Sequence, residues 1–294
     1  MTSNQDRRTV LKNLLAGTAA LSLPGALAAC TTTNNTNKVK LKGNINHSVC
    51  QWCYGFLSVE ELCKAVTDIG FAAIDLVGPK DWPTLKKYNV YSSMCNGSEI
   101  SLTEGWNRTE YHGTLTDKLT AYIPLMVQAG YKDVICFSGN RKGMDDETGL
   151  KNCAEGLKKV VGLAEKNGIT IHMELLNSKV DHKDYMCDKS AWGVELCKRV
   201  GSENFKLLYD IYHMQIDEGD VIRTIKDNHQ YFGHYHTGGV PGRHEIDDSQ
   251  ELYYPAIMKA IVETGFKGYT AQEFIPAAQD KIASLRKAVE LCDV

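Results

Sequence analysis

Five times along this chain a segment with helical spacing ends at a glycine, and a strand-like apolar run follows within a few residues. The five stretches read DIGFAAIDLVG, QAGYKDVICFSG, KNGITIHMELLN, RVGSENFKLLYD and ETGFKGYTAQEF. Glycine enters left-handed backbone without a Cβ clash, so Gly70, Gly130, Gly168, Gly201 and Gly265 read as helix stops that hand the chain to buried strands. The segments before them keep the 3.6 period: Val59, Leu62, Cys63, Val66 and Ile69 share one face, and Leu150, Cys153, Leu157, Val161 and Ala164 another. Ser58 with Glu61 makes a capping box that starts the first helix.

Adding the less marked units gives strands near 44–49, 71–77, 90–95, 133–138, 169–175, 205–210, 231–237 and 268–274, each followed by a helical segment. Eight such repeats in roughly 250 residues predict an α/β fold, a single-domain (β/α)8 TIM barrel over residues 40–294. A doubly wound open sheet is the competing arrangement, but no Gly-rich dinucleotide fingerprint follows the first strand.

The first residues do not fit that repeat. Two arginines, Arg7 and Arg8, precede a moderately apolar run that ends in small residues and is too short and too broken to span a bilayer. Arg7-Arg8 ahead of Val10-Leu11-Lys12 resembles a twin-arginine export signal, and Leu27-Ala28-Ala29-Cys30 resembles a lipoprotein cleavage site. Residues 1–30 are therefore expected to be a signal and residues 31–39 a flexible tether. The mature protein is expected to be periplasmic or membrane-anchored, touching the membrane only through a lipid on Cys30.

The charged fraction of 23% and net charge of −3 exclude the basic surface that a nucleic-acid partner needs. Beyond Cys30, nine cysteines are scattered through apolar runs and suit buried small hydrophobes better than a disulfide framework. Cys50 and Cys53 have redox-motif spacing but not the helix-start context that stabilises a thiolate, so they read as a structural pair or free thiols.

In a (β/α)8 barrel the chemistry sits at the C-terminal strand ends. Strand five ends in Glu174, six in Asp210, seven in His236 and eight in Glu273, at separations of 36, 26 and 37 residues, about one repeat each. Alone, Asp210 reads as a helix cap, His236 as a core histidine and the glutamates as partners of arginines. Together they put three carboxylates in one barrel mouth, which stays ionised only if a cation sits among them. One divalent metal is expected, and three oxygen donors with one imidazole favour Mn, Mg or Co over Zn.

The stretches HMELLNS, LLYDIYHMQ, GHYHTGGVPGRHE and AQEF resemble the motifs of hydroxypyruvate isomerase and related xylose isomerase-like sugar isomerase/epimerase barrels, over nearly the whole domain. The resemblance implies that Glu174, Asp210, His236 and Glu273 bind the metal and that the two glutamates move the proton. It also implies that His213 and Arg243 contact substrate oxygens. Hydroxypyruvate isomerases commonly carry H-x-Q on the seventh strand, whereas this chain has His234-Tyr235-His236, as in ketose 3-epimerases.

The function expected is proton transfer on an α-hydroxycarbonyl compound, a small-molecule sugar or hydroxy-keto acid, through an enediolate. Asn177, in the motif of Glu174, joins the expected substrate contacts, with Trp52 and Trp106 as candidate pocket walls. His234 reads as a supporting or core group one layer below His236, and His244 as a loop residue. Competing readings are a sugar-binding lipoprotein without turnover and, lower, a metal-dependent phosphodiesterase of the endonuclease IV-like barrels. A homo-oligomer is left open.

Overall fold

A computed structural model describes residues 38–97 and 101–294. The expected signal and most of the tether lie outside the described residues.

Eight strands form one sheet: β1 (Asn46–Val49), β2 (Ala73–Val77), β3 (Tyr91–Cys95), β4 (Asp133–Cys136), β5 (Thr170–Glu174), β6 (Phe205–Asp210), β7 (Phe232–Thr237) and β8 (Tyr269–Gln272). The order β1-β8-β7-β6-β5-β4-β3-β2 is parallel at every pairing, and a parallel bridge between Cys50 and Asp75 joins the two ends. This is the expected (β/α)8 barrel, with every expected strand present to within a few residues at its ends.

Among the described residues, the helices are α1 (Val59–Ile69), α2 (Trp82–Lys87), α3 (His112–Ala129), α4 (Asp146–Asn167), α5 (Ser190–Val200), α6 (Ile211–Asp217), α7 (Val221–Asn228), α8 (Tyr254–Glu263) and α9 (Lys281–Cys292). One helix per strand was expected, but β6 is followed by two. Asp210 caps α6 directly off the strand, and Gly219 and Asp220, with φ of 70° and 47°, break it from α7. No helix among the described residues is long and apolar enough to cross a membrane.

The predicted stops behave as glycine physics requires: φ is 126°, 82°, 63°, 72° and 81° at Gly70, Gly130, Gly168, Gly201 and Gly265. The Ser58–Glu61 capping box is formed at α1. Leu62, Cys63, Val66 and Ile69 of α1 and Leu150, Cys153, Leu157, Val161 and Ala164 of α4 are buried against the barrel. The nine described cysteines, Cys50 and Cys53 included, are all free and buried.

The β3–α3 loop packs onto the end of β4 so closely that a Cβ on Gly105 would stand 2.3 Å from Gly139 N. The next residue, Trp106, is fully buried over Gly156 of α4 and against His112, whose Nε2 donates to Trp106 O at 2.8 Å. Trp106 anchors the loop, the commoner use of such a tryptophan, and is not among the described residues that line the cavity at the barrel mouth. Trp106→Ala is expected to cost about 3–5 kcal/mol of unfolding free energy, as other buried Trp truncations do. Denaturant titration tests this, and a loss under about 1 kcal/mol would contradict the anchoring role.

Candidate functional site

The strand ends bring Glu174, Asp210, His236 and Glu273 together: one ligand atom from each lies within 4.8 Å of the others, and all four residues are buried. Each is placed by its strand. Asp210 pairs in register with His236 across β6 and β7, and Glu174 sits opposite Leu208 of β6. Asp210 caps α6 through Oδ1, which accepts from His213 N at 3.2 Å, while Oδ2 faces the cluster.

His236 is the hub. Its Nδ1 is 2.8 Å from Glu273 Oε2, 3.3 Å from Glu174 Oε1 and 4.0 Å from Asp210 Oδ2. On the far side of the ring Nε2 is 2.8 Å from Asp75 Oδ2. Burial works against the charged ring, yet Cys50 and the carboxylates of Glu273 and Asp75 raise the His236 pKa well above its ordinary value.

The three carboxylates are not equivalent. Burial pushes the Glu174 carboxyl up, with the Glu273 charge adding to it. Burial likewise pushes Asp210 well up, against the pull of Arg243. For Glu273 burial is overcome by the Arg243 guanidinium and His236, which hold it well below the usual carboxylate range. Glu273 is also pinned, with Trp52 Nε1 donating to Oε1 at 2.8 Å and Arg243 donating to Oε2 at 2.5 Å. Glu174 Oε1, in contrast, is buried and has no hydrogen-bond partner of good geometry, its nearest being His236 Nδ1 at 3.3 Å, which stands closer to Glu273.

Arg243 reaches the site on a tight loop. It sits at φ 58°, its carbonyl accepts from Ile275 N, and a Cβ on Gly239 would stand 2.2 Å from Glu245 O, so only glycine fits that turn. Its guanidinium lies between the Trp52 and Tyr212 rings, 5.2 Å from each centroid, with a second contact to Asp210 Oδ2 at 3.3 Å. His244, on the same loop, is exposed and bonds to Ile275 O, away from the cluster.

Glu174, Glu273, Arg243 and Trp52 line a cavity of about 370 Å³ at this end of the barrel. His213 and Asn177, expected from the sequence to touch substrate, are both fully buried and are not among the residues that line this cavity. Asn177 spends its amide internally: Nδ2 donates to His213 Nδ1 at 2.6 Å and to Asp181 Oδ2 at 2.7 Å, and Oδ1 accepts from Val180 N and Asp181 N. That bond leaves the His213 proton on Nε2, 3.6 Å from Asp210 Oδ2. Burial, with Arg243 nearby, lowers the His213 pKa well below its ordinary value and keeps the ring neutral. His213 Nε2 itself is buried without a hydrogen-bond partner.

Asp75, on β2, is the residue that sequence reading missed. It is fully buried, accepts from Ser93 Oγ at 2.5 Å, and lies 3.2 Å from His234 Nε2 as well as bonding His236. Burial alone would raise its pKa, but the two imidazoles hold it below the usual range. His234 thus sits one layer below His236, as period-2 alternation predicts. The signal available was a lone Asp inside the apolar run FAAIDLVG.

Residues 63–291 match the family described as "Xylose isomerase-like TIM barrel". The chain belongs to that family. Within the xylose isomerase-like barrels it is similar to a 2-oxo-tetronate isomerase from Cupriavidus necator, 36% identical over 124 residues, which are 42% of this chain and 47% of the relative. It is also similar to a putative human hydroxypyruvate isomerase, 27% identical over 122 residues, 42% of this chain and 44% of the relative. Each match spans less than half of the curated relative's length.

Two solved structures share the fold: an AP endonuclease, family 2, from Brucella melitensis (TM-score 0.71, 21% identity, 82% of this chain and 96% of that one) and D-psicose 3-epimerase from Clostridium cellulolyticum (TM-score 0.67, 16% identity, 85% and 100%).

The cluster fits a divalent cation on its own chemistry. It offers three carboxylates, an imidazole whose other nitrogen is already anchored on a carboxylate, and a buried carboxylate oxygen without a partner, against a single guanidinium.

Proposed function

We propose that this chain is a metal-dependent sugar isomerase or epimerase that moves a proton on an α-hydroxycarbonyl substrate through an enediolate. The observation that carries the reading is the pair Glu174 and Glu273 on the wall of one cavity, with environments that drive their protonation in opposite directions. Relatives named isomerase and epimerase support the reaction class.

Glu174, Asp210, His236 and Glu273 would hold the ion, with Mn, Mg or Co suiting this donor set better than Zn. When bound, the ion supplies the positive charge that makes a C–H beside a carbonyl and a hydroxyl acidic.

The chain's own groups divide the remaining work. Glu273, ionised and fixed by Trp52 and Arg243, is suited to take a proton, and Glu174, whose Oε1 is free, to deliver one. Their roles exchange in the reverse direction. Return of the proton to the same carbon from the opposite face epimerises the substrate, and delivery to the neighbouring carbon isomerises it. Arg243 and Trp52 orient the substrate oxygens and cover the site.

Incubation with Mn²⁺ and a panel of ketoses and hydroxy-keto acids, followed by separation of the products, tests the proposal. Conversion that stops on chelation supports it; binding without conversion indicates a sugar-binding protein and contradicts it. The phosphodiesterase reading is disfavoured by a cavity wall with one guanidinium and no lysine among the described residues.

We also propose that the protein is exported by the twin-arginine route and anchored by a lipid on Cys30, from Arg7-Arg8 and the Leu27–Cys30 stretch. Cys30→Ala should move it from the membrane to the soluble fraction; an unchanged distribution would contradict the anchor.

A further inference from the structure

The charge on the cavity wall bears on which α-hydroxycarbonyl compounds fit. Among the described residues, the lining side chains are Gln51, Trp52, Asn96, His182, Arg243, the two glutamates, and five apolar groups. Arg243 is the one with a fixed positive charge, and it is already committed, bonded to Glu273 Oε2 and Asp210 Oδ2 and held between two aromatic faces. Three carboxylates around one guanidinium leave two negative charges, which one divalent ion cancels without surplus. Asp75, buried behind His236, adds a further negative charge. His182 supplies no compensating cation, since burial and the neighbouring Arg243 lower its pKa.

The apolar half of the wall is built deliberately. Leu76, Ile135, Phe137 and Leu176 come from β2, from β4 and its end, and from just past the end of β5, around the barrel from Asp210, His236 and Glu273 on β6 to β8. Period-2 alternation would turn Leu76 away from the side that Asp75 faces. Instead Leu76 adopts φ 59°, at a register shift between Asp75 and Val77, so that both consecutive side chains serve the barrel mouth. A non-glycine residue held in left-handed backbone is strained, and strain of this kind concentrates at functional sites. Here it brings a leucine to the wall.

We infer that the site takes an uncharged ketose whose far end carries neither carboxylate nor phosphate, and that it discriminates against hydroxy-keto acids and sugar phosphates. This rests on the catalytic reading above. An anionic substituent lying against Leu76, Ile135, Phe137 and Leu176 would lose its hydration with no counter-charge to replace it, the donors of Gln51 and Asn96 on the same wall being neutral, whereas a neutral carbon chain would not.

The test pairs turnover with binding, using the Mn²⁺-loaded full-length protein. Probes are a neutral ketohexose, a four-carbon hydroxy-keto acid and a ketohexose phosphate. The expected result is a kcat/KM for the neutral ketose at least about tenfold above either anion, the factor that ~1.4 kcal/mol provides. Preferred turnover of an anion overturns the substrate class and leaves the catalytic reading standing. Selective binding of the neutral ketose without turnover supports the ligand class and overturns the catalytic reading; selective binding of an anion overturns the class.

Leu102→Lys, on the exposed rim of the wall, supplies the missing charge without disturbing the core. It is expected to narrow the neutral-to-acid ratio about tenfold, and an unchanged ratio overturns charge as the origin of the preference.

Discussion

Glu174→Gln is expected to lower turnover by about 10²–10⁴-fold, the range that a positioned acid or base contributes, with no measurable loss of folding stability. The substitution is nearly isosteric and keeps the Glu174 oxygen that stands 3.3 Å from His236 Nδ1, so at saturating Mn²⁺ its effect reports chemistry and not structure. Glu273→Gln should lower turnover comparably. It also removes a charge that Arg243 and His236 both use, so its thermal melting is expected to shift while that of Glu174→Gln does not. Full activity in both variants would remove the glutamates from the mechanism.

Asp75→Asn is expected to weaken Mn²⁺ binding by about 10–100-fold, the usual consequence of removing a carboxylate that anchors a ligating histidine. Binding at His236 Nδ1 requires that nitrogen to give up its proton while Nε2 keeps its own, and Asp75 Oδ2, 2.8 Å away, fixes that tautomer and the ring orientation. Ser93→Ala is the matched control: it removes the partner of Asp75 Oδ1 and leaves the His236 bond in place, so it should weaken binding much less. Calorimetric titration of the two variants separates these cases. Equal affinities for wild type and Asp75→Asn would show that His236 is oriented by its strand alone.

The barrel was legible because its signals are local. A glycine that must adopt positive φ and an apolar face with a 3.6 period are both written in a dozen residues, and the five stops and the α1 and α4 faces follow from them. The four clustered side chains were legible for a related reason: each lies within one residue of its strand's C-terminal end, and equivalent positions on parallel strands converge at one mouth.

Groups whose placement depends on non-local packing were not legible. Asp75 stands more than 150 residues before His236, and Leu76 lines the cavity only through a local backbone irregularity that alternation does not foresee. Asn177 and His213 look like substrate contacts by their motifs, and neither motif foretells the bond from Asn177 Nδ2 to His213 Nδ1 that ties the two together. Trp106 is drawn inward by the space over Gly156, which belongs to a different helix.

If a cation-filled carboxylate cluster moves a carbon-bound proton, that proton exchanges with solvent. Solvent exchange in D₂O, followed by NMR on a ketose with Mn²⁺ and again after chelation, tests it most directly. Deuterium is expected at the carbon between the carbonyl and hydroxyl in the metal-loaded protein, and none after chelation or, for the substrate whose proton Glu273 takes, in Glu273→Gln. Exchange that persists at full rate without metal, or no exchange in metal-loaded wild type on any α-hydroxycarbonyl substrate, would contradict it.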